Sequence, residues 1–296
     1  MERIYRLWAY FINSLCYLVA RNPIVISAWV QIKSGKVQHR NWGDELNVYL
    51  LEKLTGRKVK VANRSLMHFM FPSKRYICIG SVIGWYETEI SEIWGAGAMS
   101  DKAVVKNRPA KVHLVRGKHT RELLLRQNID CPEVYGDPAL LLSRVYTPRI
   151  AKRYRLGIIP HYADENLRFI SEFVAKHDDI CLISMSKYDK WTDIIDKICS
   201  CEFIVSSSLH GLIVSDSYNV PNLWASFSND NINGGLFKYR DYFSSVGRNE
   251  SALPIGIMSL DELDNVYNKV ESFKYDRPVI DYEMILNSCP FMGSNT

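Results

Sequence analysis

Short apolar runs alternate with amphipathic helical segments through the second half of the chain, and this alternation most constrains its fold. Three runs have the length and character of buried strands: residues 156–159, 180–184 and 203–206. Helical spacing follows each run, at about 164–177, at 189–200 and from Leu209 onward. Such strand–helix succession predicts a parallel sheet covered by helices. It is of Rossmann type, although no GxGxxG fingerprint accompanies it.

The amino-terminal half shows a weaker form of the same alternation. A helical pattern after Asn41 ends at Gly56, a residue suited to the left-handed C′ position. Strand-like runs then occupy 58–62, 76–80, 92–95 and 112–115, and a helix-prone segment occupies 118–127. The basic stretch 143–155 lacks clean periodicity and is predicted to be the linker. We therefore expect an α/β protein with domains 1–147 and 148–296, the last helix packing back on the first domain.

Composition narrows the class of partner. The 296-residue chain is 47% hydrophobic and 23% charged, which excludes a disordered or collagenous protein. Its net charge of +5 suits an anionic small molecule, a nucleotide or an anionic membrane surface, and no basic block or motif indicates nucleic-acid binding. Seven scattered cysteines without the spacing of a zinc site favour a reduced, cytoplasmic protein. The oligomeric state is not indicated.

Residues 7–20 form an apolar stretch flanked by Arg3, Arg6 and Arg21. The stretch is shorter than the roughly 20 residues that a spanning helix needs, and no signal-peptide cleavage site follows it. Three interpretations stay open: a packed core helix, an amphipathic helix lying on a membrane, or an uncleaved anchor. We favour a cytoplasmic protein that contacts the inner face of a membrane.

Polar residues concentrate where predicted strands end and helices begin, which is where open α/β sheets bind ligands. Ser206, Ser207 and Ser208 follow an apolar strand and precede His210 and Gly211. Hydroxyls, an imidazole and the N–H groups of a new helix together predict an anion site. Serine capping beside a packed histidine is the alternative.

A second junction follows the strand at 156–159. His161 and Tyr162 lie there, and His161 would share a sheet edge with His210, so that both imidazoles could meet one ligand. Asp164 is expected to be the N-cap of the next helix. A histidine at either position could act as acid, base or anion ligand.

Asn41, Gly43, Asp44 and Glu45 open the first helix of the amino-terminal half. Carboxylates at a helix start match the helix dipole, which is the structural interpretation. The functional alternative is that a glycine beside two carboxylates receives a polar sugar.

The remaining junctions are less specific. Gly95 and Gly97 permit close approach of a ligand or a helix. Arg116 either pairs with an anion at a strand end or is an ordinary exposed side chain. Residues 136–142 suggest a turn followed by an apolar run, and residues 237–243 suggest a charged aromatic loop that is either a lid or a surface segment.

Six segments, in this order, resemble the polysaccharide pyruvyltransferase family: NWGDEL at 41–46, WGAG at 94–97, VRG at 115–117, GDPALLL at 136–142, IPHY at 159–162 and SSSLHGLIVSDSYNVPN at 206–222. The resemblance spans about residues 40–245, and the first, fourth and last segments are the specific ones. It implies a GT-B-like architecture, with two Rossmann-like domains facing a cleft. It also implies transfer from phosphoenolpyruvate to two sugar hydroxyls, giving a pyruvate ketal in exopolysaccharide, capsule or cell-wall synthesis.

The family pattern implies that His210 is the main catalytic residue and that Arg116 contacts the donor's carboxylate or phosphate. His161 or Asp44 would act as base on the acceptor hydroxyl, and the mechanism demands no metal or other cofactor. Members of the family commonly have an arginine where this chain has Ser208. Lys238 or Arg240 is the hypothetical replacement for that cation.

The remaining assignments divide between donor and acceptor. The donor site includes Ser206, Ser207, Ser208 and Gly211, and the acceptor site includes Asn41, Gly43, Glu45, Gly95, Gly97 and Tyr162. The acceptor is expected to be a polysaccharide or a lipid-linked oligosaccharide. A glycosyltransferase using a nucleotide sugar and a non-catalytic glycan-assembly protein are the alternatives.

Overall fold

A computed structural model describes residues 2–17, 22–228 and 235–292 of the chain. The chain divides into two compact units, the first comprising Met1–Pro138 with Asp281–Thr296 and the second Ala139–Ile280. The division falls earlier than residue 147 because Ser217 Oγ donates to Leu140 O at 2.7 Å and accepts from Ser143 N at 3.3 Å. The segment after Pro138 is thus bound into the second unit.

Within the described residues, the first unit combines five helices, one of them from the carboxyl-terminal segment, with a parallel sheet and a short hairpin. Its first four helices are α1 (Glu2–Tyr17), α2 (Trp42–Thr55), α3 (Leu66–Met70) and α4 (Lys118–Arg126). Its strands are β1 (Ile24–Ile26), β2 (Ile32–Lys33), β3 (Lys36–Val37), β4 (Val59–Val61), β5 (Arg75–Ile77), β6 (Ser91–Trp94) and β7 (Lys111–Leu114). A 3-10 turn, Ala62–Arg64, follows β4, and another, Pro138–Leu141, crosses the unit boundary.

The second unit repeats the strand–helix succession. Its helices are α5 (Leu142–Val145), α6 (Arg168–Lys176), α7 (Trp191–Cys199), α8 (Leu209–Ser217), α9 (Phe237–Val246) and α10 (Leu260–Lys269), with a 3-10 turn at Val270–Ser272. Its strands are β8 (Tyr154–Ile159), β9 (Ile180–Leu182), β10 (Cys201–Ser206), β11 (Asn222–Ser226) and β12 (Ile255–Gly256). The last helix, α11 (Tyr282–Asn287), returns to the first unit, where Ser288 Oγ lies 3.0 Å from Trp94 Nε1.

Both units contain a five-stranded parallel sheet with the same topology. The strand order is β4-β1-β5-β6-β7 in the first and β12-β11-β10-β8-β9 in the second. Numbered within each unit, both orders read 2-1-3-4-5. The order reverses between β1 and β5 in one unit and between β8 and β10 in the other. Doubly wound sheets bind ligands beyond the strand ends at this switch point.

The predicted α/β class is confirmed, as are most of the predicted elements. Helix α2 ends at Thr55 and Gly56 caps it with a φ of 67°, as its sequence indicated. Strands β1, β2, β3, β11 and β12 were not predicted. The prediction of a loop over 237–243 is wrong, because this segment forms most of α9 and buries Tyr239, Tyr242 and Phe243.

Helix α1 covers the part of the apolar stretch 7–20 that the structure describes, and residues 18–20 lie outside the described range. It is not a core helix, since Leu7, Trp8, Phe11 and Leu15 are 44% to 63% exposed. Among the described residues, no helix combines the length and apolar character needed to cross a bilayer.

Candidate active site

In the second unit, the switch point brings together the segments after β8 and β10. These strands are paired with Ile159 opposite Ser206, so both chains leave the sheet side by side. Ser207 N donates to Ile159 O at 3.1 Å, and His161 N donates to Ser207 Oγ at 2.8 Å. His161 and the three serines therefore lie at one strand edge, as predicted from their positions after adjacent strands.

Ser206 has a structural place within this edge. Its hydroxyl is fully buried, accepts from Ser208 N at 3.0 Å, and lies 3.1 Å from Ile159 O. A Cβ at Gly211 would collide with Ser206 Oγ. Glycine at this position therefore allows the first turn of α8 to pack against the end of β10. Both residues set the spacing between β10 and α8.

Helix α8 begins immediately after this edge. Ser208 is its N-cap but makes no side-chain capping hydrogen bond, and His210 lies in the first turn. The first turn contains no acidic residue. Unpaired N–H groups and the helix dipole favour an anion at such a helix start.

Asp164 is not the N-cap of the following helix, contrary to the sequence-based prediction. Helix α6 starts at Arg168 with Leu167 as its N-cap, and Asp164 is 3% exposed. Its carboxylate accepts from Ser228 Oγ at 2.9 Å and lies 3.4 Å from Ser207 Oγ. Asp164 therefore lies beside the Ser207 hydroxyl, which accepts a hydrogen bond from His161 N.

Helix α9 supplies two buried side chains to the same region. Tyr239 Oη donates to Ser207 O at 2.7 Å, and its ring stacks on Trp224 with centroids 4.4 Å apart. Lys238 is 6% exposed and close enough to His161 to affect that residue's pKa. Sequence analysis missed Tyr239, since nothing local distinguishes it from the other aromatic residues of the segment.

The electrostatic surroundings favour a neutral His161. Burial, and then the positive charge of Lys238, lower the pKa of His161 to about 4, although Asp164 and Glu165 act in the opposite direction. Tyr162 is 52% exposed, and its ring lies 4.2 Å from the imidazole, centroid to centroid. An uncharged imidazole is able to accept a proton near neutral pH.

Arg240 does not occupy a position equivalent to Lys238. The two residues are separated by two positions on α9, which places them on opposite sides of a helix. Arg240 is partly buried, and its Nε has no hydrogen-bond partner among the described residues. Of this pair, Lys238 is the one whose charge lowers the pKa of His161.

In the first unit, the start of α2 carries the predicted carboxylates. Asp44 Oδ2 accepts from Asn41 Nδ2 at 2.6 Å. Glu45 is 1% exposed, and its Oε1 accepts from Arg40 N at 2.6 Å and from Asn41 N at 2.9 Å. The Glu45 carboxylate thus binds the backbone N–H groups that immediately precede α2. Gly43 is buried within the first turn of the helix.

Asn47, which sequence analysis also missed, joins α2 to the end of β5. Its amide accepts from Ile79 N at 2.9 Å and donates to Ile79 O at 2.8 Å. A Cβ on the neighbouring Gly80 would lie 3.0 Å from Asp44 Oδ1, so the carboxylate lies directly over this backbone. The first turn of α2 is therefore fixed at the switch point between β1 and β5.

Arg116 is fully buried, so the exposed alternative is wrong. Its Nη1 donates to Ser81 Oγ at 2.6 Å and its Nη2 to Ala98 O at 2.7 Å. A side chain on Gly97 would collide with this guanidinium, and one on Gly95, whose φ is 98°, with Pro138. The two glycines accommodate parts of the protein itself, and Arg116 connects the segments after β5, β6 and β7.

Comparison with known proteins identifies the family. The family model described as polysaccharide pyruvyl transferase matches residues 69–230, more than half of the chain and parts of both units. The chain belongs to this family, as its motifs indicated, and is a pyruvyltransferase that acts on polysaccharide. The match includes Arg116, His161 and His210 but not the NWGDEL segment or α9.

Two relatives give the extent of the similarity. An uncharacterized protein of Acanthamoeba polyphaga mimivirus is 29% identical over 214 residues, which are 71% of this chain and 72% of that protein. The succinoglycan biosynthesis protein ExoV of Rhizobium meliloti (strain 1021) is 25% identical over 221 residues, 71% of this chain and 63% of that protein.

Proposed function

We propose that the pyruvyl donor is phosphoenolpyruvate and that the product is a pyruvate ketal on two hydroxyls of one sugar residue. The observation that carries this proposal is the direct passage of β10 into α8 at the switch point, beside His161 and Lys238. Helix starts bind phosphate through backbone N–H groups, and a nearby ammonium adds to the attraction. Phosphoenolpyruvate has both a phosphate and a carboxylate to bind.

The reaction needs one proton donor and one proton acceptor. A proton is added to the methylene carbon of the donor, which gives an oxocarbenium-like centre at the adjacent carbon. One sugar hydroxyl attacks this centre, phosphate leaves, and a second hydroxyl closes the ketal. Of the two hydroxyl protons, one balances the proton taken up by carbon and the other leaves with phosphate.

We assign the acid role to His210 and the base role to His161. Histidine exchanges protons near neutral pH, and His210 lies in the helix turn proposed to bind phosphate. The lowered pKa of His161 keeps its imidazole unprotonated above about pH 4, which suits a base. Asp44 is the alternative base, because its carboxylate lies at the switch point of the first unit.

Lys238, rather than Arg240, is the proposed replacement for the arginine expected at Ser208. Lys238 acts on His161, whereas Arg240 lies on the other side of α9. For Arg116 we propose a positioning role instead of the direct donor contact implied by the resemblance, because its guanidinium is fully buried against Ser81 and Ala98.

The acceptor is proposed to be a sugar of a polysaccharide precursor attached to a lipid carrier, presented at the cytoplasmic face of a membrane. The switch point of the first unit, with Asn41 and Asp44, is the proposed acceptor side because carboxylates and amides suit sugar hydroxyls. Glu45, proposed as an acceptor contact from the sequence, is instead proposed to hold the helix start in place, because its carboxylate is buried against backbone N–H groups. Tyr162 offers an exposed aromatic surface for the sugar. The GT-B-like arrangement of the two units stays a prediction of the resemblance.

The test incubates the purified chain with phosphoenolpyruvate and a panel of lipid-linked or model galactosides, glucosides and mannosides. Phosphate release together with the mass gain of a pyruvyl ketal is the expected result. A parallel incubation with nucleotide sugars is expected to release no nucleoside diphosphate. Turnover of a nucleotide sugar, or no phosphate release with any acceptor in the panel, would contradict the proposed donor and acceptor class.

A further inference from the structure

Helix α1 is attached to the first unit by its polar side. Asn13 is fully buried, and its Nδ2 donates to Ile32 O at 3.2 Å and to Arg64 O at 3.0 Å. Its Oδ1 accepts from Gly35 N at 3.0 Å. Ser14 Oγ lies 2.8 Å from Ser65 Oγ. Surface helices ordinarily bury their apolar stripe, so this attachment is the reverse of the usual one.

The apolar side of α1 faces outward as a consequence. Leu7, Trp8, Phe11 and Leu15 are exposed by 54%, 63%, 44% and 45%, and their spacing places them within about 100° of the helix circumference. The rings of Trp8 and Phe11 lie in contact, with centroids 5.8 Å apart. The exposed face is therefore continuous along two turns.

A neighbouring helix also exposes large apolar side chains. Helix α3 packs against α1, and Met70 and Phe71 at its end are 65% and 69% exposed. We call these six side chains the α1–α3 face: Leu7, Trp8, Phe11, Leu15, Met70 and Phe71. Six large apolar side chains exposed on two packed helices are typical of an interaction surface.

Charge indicates what covers the α1–α3 face. Residues 1–75 contain 13 Lys and Arg but only four Asp and Glu, a net charge of +9, whereas the rest of the chain has a net charge of −4. Lys33 and Lys36 are exposed on the β2–β3 hairpin, which Asn13 joins to α1. Aromatic and aliphatic side chains beside an excess of lysine and arginine match an anionic lipid surface.

We propose that the α1–α3 face inserts into the interface of an anionic lipid bilayer, with α1 lying parallel to the membrane. Tryptophan is favoured at the headgroup level, where its ring meets an apolar and a wet environment. The positive amino-terminal region then faces the anionic headgroups. This interaction requires neither donor nor acceptor, so it is measured independently of the proposed reaction.

The experiment measures flotation of the full chain with phosphatidylglycerol–phosphatidylcholine vesicles. The wild type is expected to bind, and the double variant Trp8→Glu/Phe11→Glu to lose about tenfold or more of its partitioning. The matched control is Leu253→Glu/Val279→Glu, which alters side chains of 66% and 77% exposure in the second unit and is expected to bind normally. Circular dichroism checks that each variant is folded.

Four results would contradict the proposal. One is absence of wild-type binding, and another is equal loss in the control variant. A third is a wild-type dimer, detected by light scattering, that Trp8→Glu/Phe11→Glu dissociates, because a second copy of the chain would then cover the face. Equal binding to pure phosphatidylcholine vesicles would contradict the requirement for anionic lipid.

Discussion

At the switch point of the first unit, helix α2 has Asp44 and Glu45 in its first turn. Helix α8 of the second unit has no acidic residue in its first turn, and it follows β10, which pairs with the strand that precedes His161. The strand orders of the two sheets are the same. The topology therefore gives each unit one switch point, where α2 follows the first strand of its sheet and α8 follows the third strand of its own. The side chains give these two helix starts different electrostatic character.

The length of chain between strand and helix differs as well. In the second unit β10 ends at Ser206 and α8 begins at Leu209, so the helix start lies at the strand end. In the first unit β1 ends at Ile26 and α2 begins at Trp42, with a hairpin between them. A short strand–helix connection exposes helix N–H groups to a phosphate, and a long one allows carboxylates to be placed for hydroxyl groups. We therefore assign the donor to the second unit and the acceptor to the first.

The largest expected effect is that of His210→Ala. Removal of the proposed acid is expected to lower kcat about 10³-fold, the range in which general acids act, with an unchanged melting temperature. Steady-state phosphate release measures it. The control is His177→Gln. This residue is the C-cap of α6 and lies away from the carboxyl ends of the strands, where the site is proposed. Near-normal turnover of His210→Ala would show that His210 is not the acid.

Arg116→Met is expected to affect stability first. The substitution leaves Ser81 Oγ and Ala98 O without their buried guanidinium partner, and we expect the free energy of unfolding to fall by about 2–4 kcal/mol. Urea denaturation measures the change. A variant of normal stability with a raised KM for phosphoenolpyruvate would show that Arg116 contacts the donor, and the division between the two units would then be wrong.

Lys238→Met is expected to move the acid limb of the kcat/KM profile to higher pH. The lysine charge lowers the pKa of His161, so its removal raises that pKa toward its ordinary value of 6.5. The imidazole is then protonated, and inactive as a base, at a higher pH than in the wild type. Asp44→Asn is the comparison variant in the first unit. An acid limb that is unchanged in Lys238→Met and absent in Asp44→Asn would identify Asp44 as the base.

The smallest effect concerns stability and pH. His68 in the first unit and His161 in the second both have their pKa lowered to about 4, chiefly by burial. Between pH 6.5 and 4 the unfolded chain binds more protons, so the free energy of unfolding is expected to fall as the pH is lowered through this range. Urea denaturation at several pH values measures the slope. His68→Gln and His161→Gln should each flatten it, and no change in either would contradict the cause given.

Local signals explain what the sequence could predict. The pattern from Trp42 to Gly56 contains its own helix stop, and the runs at β8 and β10 are apolar, short and followed by helical spacing. The edge formed by His161 and the serines followed from the rule that ligands bind beyond the ends of parallel strands.

The errors arose where distant partners decide the structure. The 237–243 segment has charged residues among aromatic ones, which is typical of a surface, but Tyr242 Oη donates to buried Asp216 at 2.7 Å and Tyr239 stacks on Trp224. Asp164 has the residue type of an N-cap, yet Ser207 and Ser228 from other segments hold its carboxylate. Neither contact has a signal within a local window of sequence.

The central claim is that the anionic donor binds at the switch point of the second unit, and equilibrium binding of phosphoenolpyruvate tests it most directly. Titration calorimetry without acceptor would compare the wild type with Lys238→Met and Asp44→Asn, two substitutions that each remove one charge with little change in size. We expect a Kd raised about tenfold in Lys238→Met and unchanged in Asp44→Asn. The reverse pattern, or an unchanged Kd in both, would contradict it.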